Sequence, residues 1–166
     1  MSGLGRRLRR ADDRATDAVG RGRSTAWGRA LEWSSHTARG GSAWFAVAAA
    51  SVALGKDRRR SAVALGAWAA AESSGLAVKW AFRRRRPPSS DPAQPSSPSF
   101  PSTHAAGGVA FAVTYADRSL VDLAVAGLAL AVAGGRVVQR DHYVGDVIGG
   151  TVLGAVIGSV GRRLAR

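Results

Sequence analysis

The chain has 166 residues, enough for one compact domain and too few for two ordinary ones, and it has no cysteine, which excludes a disulfide framework and cysteine-based metal sites. Its 24 Lys and Arg against 11 Asp and Glu give a net charge of +13, which on its own would suit a nucleic-acid-binding face. The basic runs, however, such as Lys56-Asp57-Arg58-Arg59-Arg60 and Arg162-Arg163, flank apolar segments, as membrane-border charges do, so the partner expected is a bilayer and not nucleic acid.

In chain order, residues 1–41 form a basic N-terminal segment whose first 30 residues lack the apolar core of a cleavable signal peptide. Leu4, Leu8, Ala11, Ala15 and Val19 recur at intervals of three and four, which predicts an amphipathic helix lying on a membrane surface, continued by Trp27, Ala30, Leu31 and Trp33. A partly disordered basic arm is the alternative. Residues 42–166 form the helical domain, with apolar segments at 42–55, 61–82, 103–116, 120–138 and 143–160. The first and third are near the length at which a buried core helix is the commoner reading. Gly145, Gly149, Gly150, Gly154 and Gly158 draw a small-residue stripe down the last segment, suited to close helix packing. The expected fold is all-α, a membrane bundle of about five apolar helices plus the N-terminal amphipathic helix. All six prolines fall within 83–101, so 83–102 reads as a long loop, and the candidate chemistry sits at its two ends.

Three blocks carry that chemistry. In Lys79-Trp-Ala-Phe-Arg-Arg-Arg-Arg86-Pro87, a continuing helix would put Lys79, Arg83 and Arg86 on one face. Lys79 lies inside an apolar register, where a charge is expensive, whereas Arg83, Arg84 and Arg85 read as snorkelling border charges. In Phe100-Pro101-Ser102-Thr103-His104, Ser102 is the expected N-cap of a helix whose free N–H groups could cradle a phosphate; an ordinary cap is the plain alternative. In Gly135-Arg136-Val-Val-Gln-Arg-Asp-His142-Tyr-Val-Gly-Asp146, the i, i+4 spacing lets the carboxylate accept an imidazole N–H and fix its tautomer, although a structural His–Asp contact uses the same spacing. Outside this pair His, Asp and Glu show no ligand-like clustering, so neither a metal nor another cofactor is expected. Glu72, one face with Lys79, reads as a structural polar contact.

Together, Lys-x6-Arg-Pro, Pro-Ser-x-His and Arg-x5-His-x3-Asp in that order resemble the phosphatidic acid phosphatase type 2 superfamily over about residues 42–160. The short length and the Arg-Arg-Arg-Arg-Pro run look like its decaprenylphosphoryl-phosphoribose phosphatase branch. The resemblance implies metal-independent hydrolysis of a lipid-linked phosphate or diphosphate, of polyprenyl type or, alternatively, a phosphatidate-type glycerolipid. It assigns Lys79, Arg86, Arg136, Ser102 and the Thr103 backbone N–H to the phosphate oxygens, His142 to nucleophilic attack through a phosphohistidine, Asp146 to orienting it and His104 to protonating the leaving alcohol. Phosphoryl transfer needs charge stabilisation and an in-line nucleophile, which cations and an imidazole supply. Two positions depart from the family pattern: Thr103 replaces the usual Gly, which narrows the approach, and Gly135 replaces the usual Ser, which removes a hydroxyl. The usual six-helix arrangement is one apolar helix short here, and the amphipathic segment stands in its place.

The implied location is the cell membrane, multi-pass, with all three blocks at one end. The opposite end gathers Lys56, Arg58, Arg59, Arg60, Arg118, Arg162, Arg163 and Arg166, which marks it as cytoplasmic and the site as extracytoplasmic, although the Arg-rich N-terminus pulls the other way. A vanadium haloperoxidase, a non-catalytic phospholipid-binding membrane protein and a basic membrane-surface adaptor are the rival readings.

Overall fold

The computed structural model describes residues 3–55, 57–89, 91–92, 94–117 and 119–166, so Lys56 and Arg118 lie outside the described residues. Among those described, the chain is all-α, with α1 (Gly3–Gly20), α2 (Ala26–Thr37), α3 (Ser42–Ala53), α4 (Arg58–Phe82), α5 (Thr103–Tyr115), α6 (Leu120–Val138) and α7 (Val144–Leu164), and short 3₁₀ turns at Arg21–Ser24 and Arg39–Gly41.

The helix starts follow local chemistry. Thr25, Asp57 and Ser102 each cap a helix by accepting a backbone N–H, from Gly28, Arg60 and Ala105. Helix α5 is the central element, packed against α4, α6 and α7. On α7 the glycine stripe makes this possible: a Cβ at Gly150 would lie 2.3 Å from the Ser102 carbonyl oxygen, and one at Gly154 2.3 Å from that of Ala106. Trp44, Phe111, Tyr115, Val125 and Val132 fill the space between α3, α5 and α6, where the Tyr115 hydroxyl pairs with Ser51 Oγ at 2.7 Å.

The number of membrane-crossing helices differs from expectation. Among the described residues only two, α6 and α7, are long and apolar enough to cross a bilayer, not about five. Helices α3 and α5 have 12 and 13 residues, about 18–20 Å of rise, against a hydrocarbon core of about 30 Å. Helix α4 has the length, but Glu72, Ser73, Ser74, Gly75 and Lys79 dilute its apolar character. Composition averaged over Ala- and Gly-rich segments overstates how apolar they are. Outward-facing Ile148, Val152, Val156, Val160 and Leu164 nonetheless form an exposed apolar row along α7, with Leu123 and Leu130 exposed on α6.

Helix α1 is amphipathic, but it turns its polar side to the bundle. Thr16 is buried and Asp12 contacts α7, whereas Leu4 is 67% exposed and Leu8 62% exposed. At the bundle end away from the three blocks, Arg59 donates to the Leu164 carbonyl at 2.9 Å and Arg60 pairs with Asp117 at 3.3 Å, so α4, α5 and α7 close there with basic residues around them.

Candidate active site

The bundle's connectivity brings the three blocks together. The C-terminus of α4, the N-terminus of α5, the C-terminus of α6 and the N-terminus of α7 all lie at one end, with the 83–102 loop over them. Ser102 is fully buried and donates its backbone N–H to the Asp146 carbonyl at 2.9 Å, which ties the start of α5 to the start of α7.

Arg86 reaches the site by a route the sequence does not predict. Helix α4 stops at Phe82, and Arg83 closes it in the left-handed region (φ 46), so Lys79, Arg83 and Arg86 do not share a helical face. The extended chain beyond carries Arg86 over the site, where Nη1 lies 3.3 Å from His142 Nε2 and donates to the Asp141 carbonyl at 2.6 Å, while Nε donates to the Ser97 carbonyl at 2.8 Å. Lys79 is buried and donates to the carbonyls of Pro98 (2.7 Å) and Ser99 (3.2 Å). Both cations are therefore held by backbone carbonyls and, for Arg86, the Ser97 hydroxyl, with no carboxylate in an ion pair with either, although Asp146 lies near enough to favour the charge of both. Arg136, 4% exposed, pairs with Asp141 Oδ2 at 2.7 Å and contacts Gln139 and Ser35; its Nε has no hydrogen-bond partner among the described residues.

His142 is 1% exposed, with Nδ1 3.6 Å from Asp146 Oδ2. That is too long for a formed hydrogen bond, and Nδ1 is otherwise without a partner. The carboxylate faces the ring, which suits the tautomer with the proton on Nδ1 and the Nε2 lone pair towards Arg86. Asp146 Oδ2 accepts the Tyr143 backbone N–H at 2.9 Å. Burial pushes His142 down to about 4, with Lys79, Arg86 and Arg136 pushing the same way and Asp146 opposing. Burial likewise lowers His104 to about 3, reinforced by Arg136, His142, Lys79 and Arg39. Near neutral pH both imidazoles are therefore uncharged, as a nucleophile requires; a phosphate beside them, by its negative charge, would raise His104 towards the protonated form. His104 lines a cleft with Arg136, Asp141, Arg39, Gly40 and Pro95.

Both departures from the family pattern have local compensation. The Thr103 methyl is directed at Gly75 of α4, where a Cβ would lie 2.8 Å from it, and its hydroxyl meets Glu72, so its bulk faces α4. At Gly135 a Cβ would lie 2.2 Å from the Leu31 carbonyl oxygen and 2.7 Å from Ser35 Cβ. Helix α2 thus occupies the space of the absent serine, and Ser35 brings its own hydroxyl to 3.5 Å from Arg136 Nη1. Gly135→Ser should therefore overpack the α2–α6 contact and cost about 1–3 kcal/mol. A thermal midpoint equal to that of the wild type would show that α2 yields without cost.

The residues the sequence reading missed are partners of these groups. Arg84, read as a border charge, instead donates to Asp146 Oδ1 at 2.9 Å and to Asp12 Oδ2 at 2.7 Å. Asp141, Gln139 and Ser35 hold Arg136. Among the described residues no three His, Asp or Glu side chains gather as a metal site.

A protein-family model described as the PAP2 superfamily matches residues 61–165. A decaprenylphosphoryl-5-phosphoribose phosphatase from Mycolicibacterium smegmatis is 38% identical over 121 residues, which cover 70% of this chain and 67% of that protein. No solved structure matches the chain.

Proposed function

The chain belongs to the PAP2 superfamily, and on that premise we propose that it is a membrane-associated phosphatase that hydrolyses a polyprenyl-type lipid phosphate through a phosphohistidine at His142. The observation that carries this reading is the approach of Arg86 Nη1 to within 3.3 Å of His142 Nε2, in a buried setting shared with Lys79 and Arg136. A phosphoryl group that displaced the arginine from the lone pair would sit between nucleophile and cations.

In the proposed reaction Nε2 attacks phosphorus, the bond from phosphorus to the leaving oxygen breaks, and His104 gives that oxygen its proton. Water, deprotonated by His104, then attacks the phosphohistidine and releases inorganic phosphate, restoring both imidazoles. Lys79, Arg86, Arg136 and the α5 N-terminus with Ser102 and Thr103 stabilise the equatorial oxygens. Asp146 orients His142 and stabilises its charged form.

The relative's printed activity makes decaprenylphosphoryl-phosphoribose the first substrate to test, alongside polyprenyl monophosphate, polyprenyl diphosphate and phosphatidate. The exposed apolar rows on α6 and α7 support a multi-pass bundle in the cell membrane, and the basic residues at the far end favour an extracytoplasmic site. The test is phosphate release by the purified protein in detergent or bilayers. Release from a polyprenyl-type substrate and little from phosphatidate is expected; the reverse preference would make it a glycerolipid phosphatase, and no release from any of the four would overturn the assignment.

Since cations and an α-helix N-terminus fill the role a metal would have, activity should survive EDTA and be inhibited by vanadate, which adopts a five-coordinate geometry like that of phosphorus in transfer. Strict dependence on an added divalent cation would refute this mechanism.

A further inference from the structure

Asp146 is fully buried, and its two oxygens have separate partners: Oδ2 faces His142 and accepts the Tyr143 N–H, while Oδ1 takes Arg84 at 2.9 Å. A buried carboxylate without a countercharge is costly, and Arg84 supplies that charge from the side away from the imidazole. The other arm of the same guanidinium reaches Asp12 of α1 at 2.7 Å, and its plane lies over the Tyr143 ring at 3.9 Å from the centroid.

Asp12 is itself fixed by the α7 N-terminus. Its Oδ1 accepts the Gly145 N–H at 2.8 Å, and Thr16 Oγ1 accepts that of Val144 at 3.1 Å, so α1 side chains satisfy two of the N–H groups that a helix start leaves free. Position 145 must be small for this approach, since a Cβ there would lie 2.7 Å from Asp12 Oδ2. Further along α1, Arg140 pairs with Asp17 at 2.9 Å. The family match begins at residue 61, so α1 lies outside the part of the chain that carries the family motifs.

Resting on the proposed phosphatase reading, we infer that Arg84 is a positioning residue for His142, acting through Asp146, and that α1 sets its place through Asp12. Arg84 fixes the carboxylate plane and shares its charge, which determines how strongly Asp146 draws on the Nδ1 proton. The fork geometry is needed, because one guanidinium serves two carboxylates with separate N–H groups, which a lysine point charge does not match.

The test compares kcat, KM and the pH profile of phosphate release for wild type, Arg84→Ala, Arg84→Lys, Asp12→Asn and the exposed control Arg85→Gln. Arg84→Ala should lower kcat about ten- to hundredfold with KM little changed. It should also move the acid limb of kcat/KM to higher pH: Asp146 regains its full charge and a nearby cation is lost, both of which favour the charged imidazole. The other charged and titratable groups facing His142 remain in every variant, namely Lys79 on α4, Arg86 in the loop, His104 on α5 and Arg136 on α6. Arg84→Lys should restore the limb and part of kcat. Asp12→Asn should lower kcat in the wild-type background and add little to Arg84→Ala, the non-additivity of a shared chain of contacts. Thermal midpoints identify a variant that fails to fold, in which case Arg84→Lys and Asp12→Asn decide. A wild-type kcat and acid limb in Arg84→Ala, with only KM raised, would return Arg84 to a border charge and leave the phosphatase reading intact. If the wild type releases no phosphate, that reading fails and this inference with it.

Discussion

His142→Ala should abolish phosphate release, and Asp146→Asn should leave a measurable remainder. A nucleophile that makes the bond has no substitute in the pocket, whereas an orienting carboxylate changes only the population and basicity of the reactive tautomer. Where a comparable triad has been dissected, losing the nucleophile costs on the order of 10⁶ in kcat and losing the carboxylate about a hundredfold less. The geometry adds a complication specific to this chain. Asp146 also caps α7 through the Tyr143 N–H at 2.9 Å and bonds Arg84 at 2.9 Å, so an asparagine there turns one acceptor into a donor facing an existing donor. Asp146→Asn should therefore lose stability as well as activity, and its thermal midpoint has to be measured beside its kcat. Acid-labile, base-stable radiolabel retained on the wild-type protein and absent from His142→Ala would place the phosphoryl group on that imidazole. Equal, mild losses in both variants would end the nucleophile assignment.

Arg136→Ala and Arg86→Ala should each lower kcat and kcat/KM together by about 10²–10³-fold, the cost of removing one preorganised donor from a developing oxyanion. Their contacts strengthen as charge builds on the transferring oxygens, so the loss falls on the transition state and not on substrate capture. A steering charge behaves differently: its loss raises KM and weakens the salt dependence. Arg136 needs a second variant, because its removal leaves Asp141, 7% exposed, without its partner at 2.7 Å. Arg136→Lys keeps the charge and separates lost catalysis from a stranded buried carboxylate. Arg86 is anchored by the Asp141 and Ser97 carbonyls, which water can serve in its absence, so Arg86→Ala is the cleaner measurement. A rise in KM alone, with kcat intact, would remove either arginine from the phosphate cradle.

Several features were legible in the sequence because local chemistry decides them. The order and spacing of the three blocks identified the family, and helix periodicity with capping residues such as Ser102 located α3 to α7 within a few residues. The i, i+4 step from His142 to Asp146 placed the carboxylate beside the ring, although the helix begins only at Val144, two residues after His142. The membrane-crossing count, expected as about five and found as two among the described residues, rests on helix length and composition, so the shortness of α3 and α5 and the polar residues of α4 were in the sequence as well. Other properties belonged to the tertiary structure alone. The amphipathic pattern of α1 forecast a helix lying on a membrane surface, and Leu4 and Leu8 are exposed; what the pattern did not carry is that the polar side docks on the bundle, with Asp12 and Thr16 accepting the open N–H groups of α7. Arg84 is indistinguishable from Arg83 and Arg85 in a run of four arginines. Its separate role exists only because α4 ends at Phe82, the chain turns at Arg83, and the fold brings Asp12 and Asp146, 134 positions apart in the chain, to the two arms of one guanidinium. Local rules specify which residues can do chemistry; which charge stands behind which is a matter of long-range contact, and no spacing in the sequence encodes it.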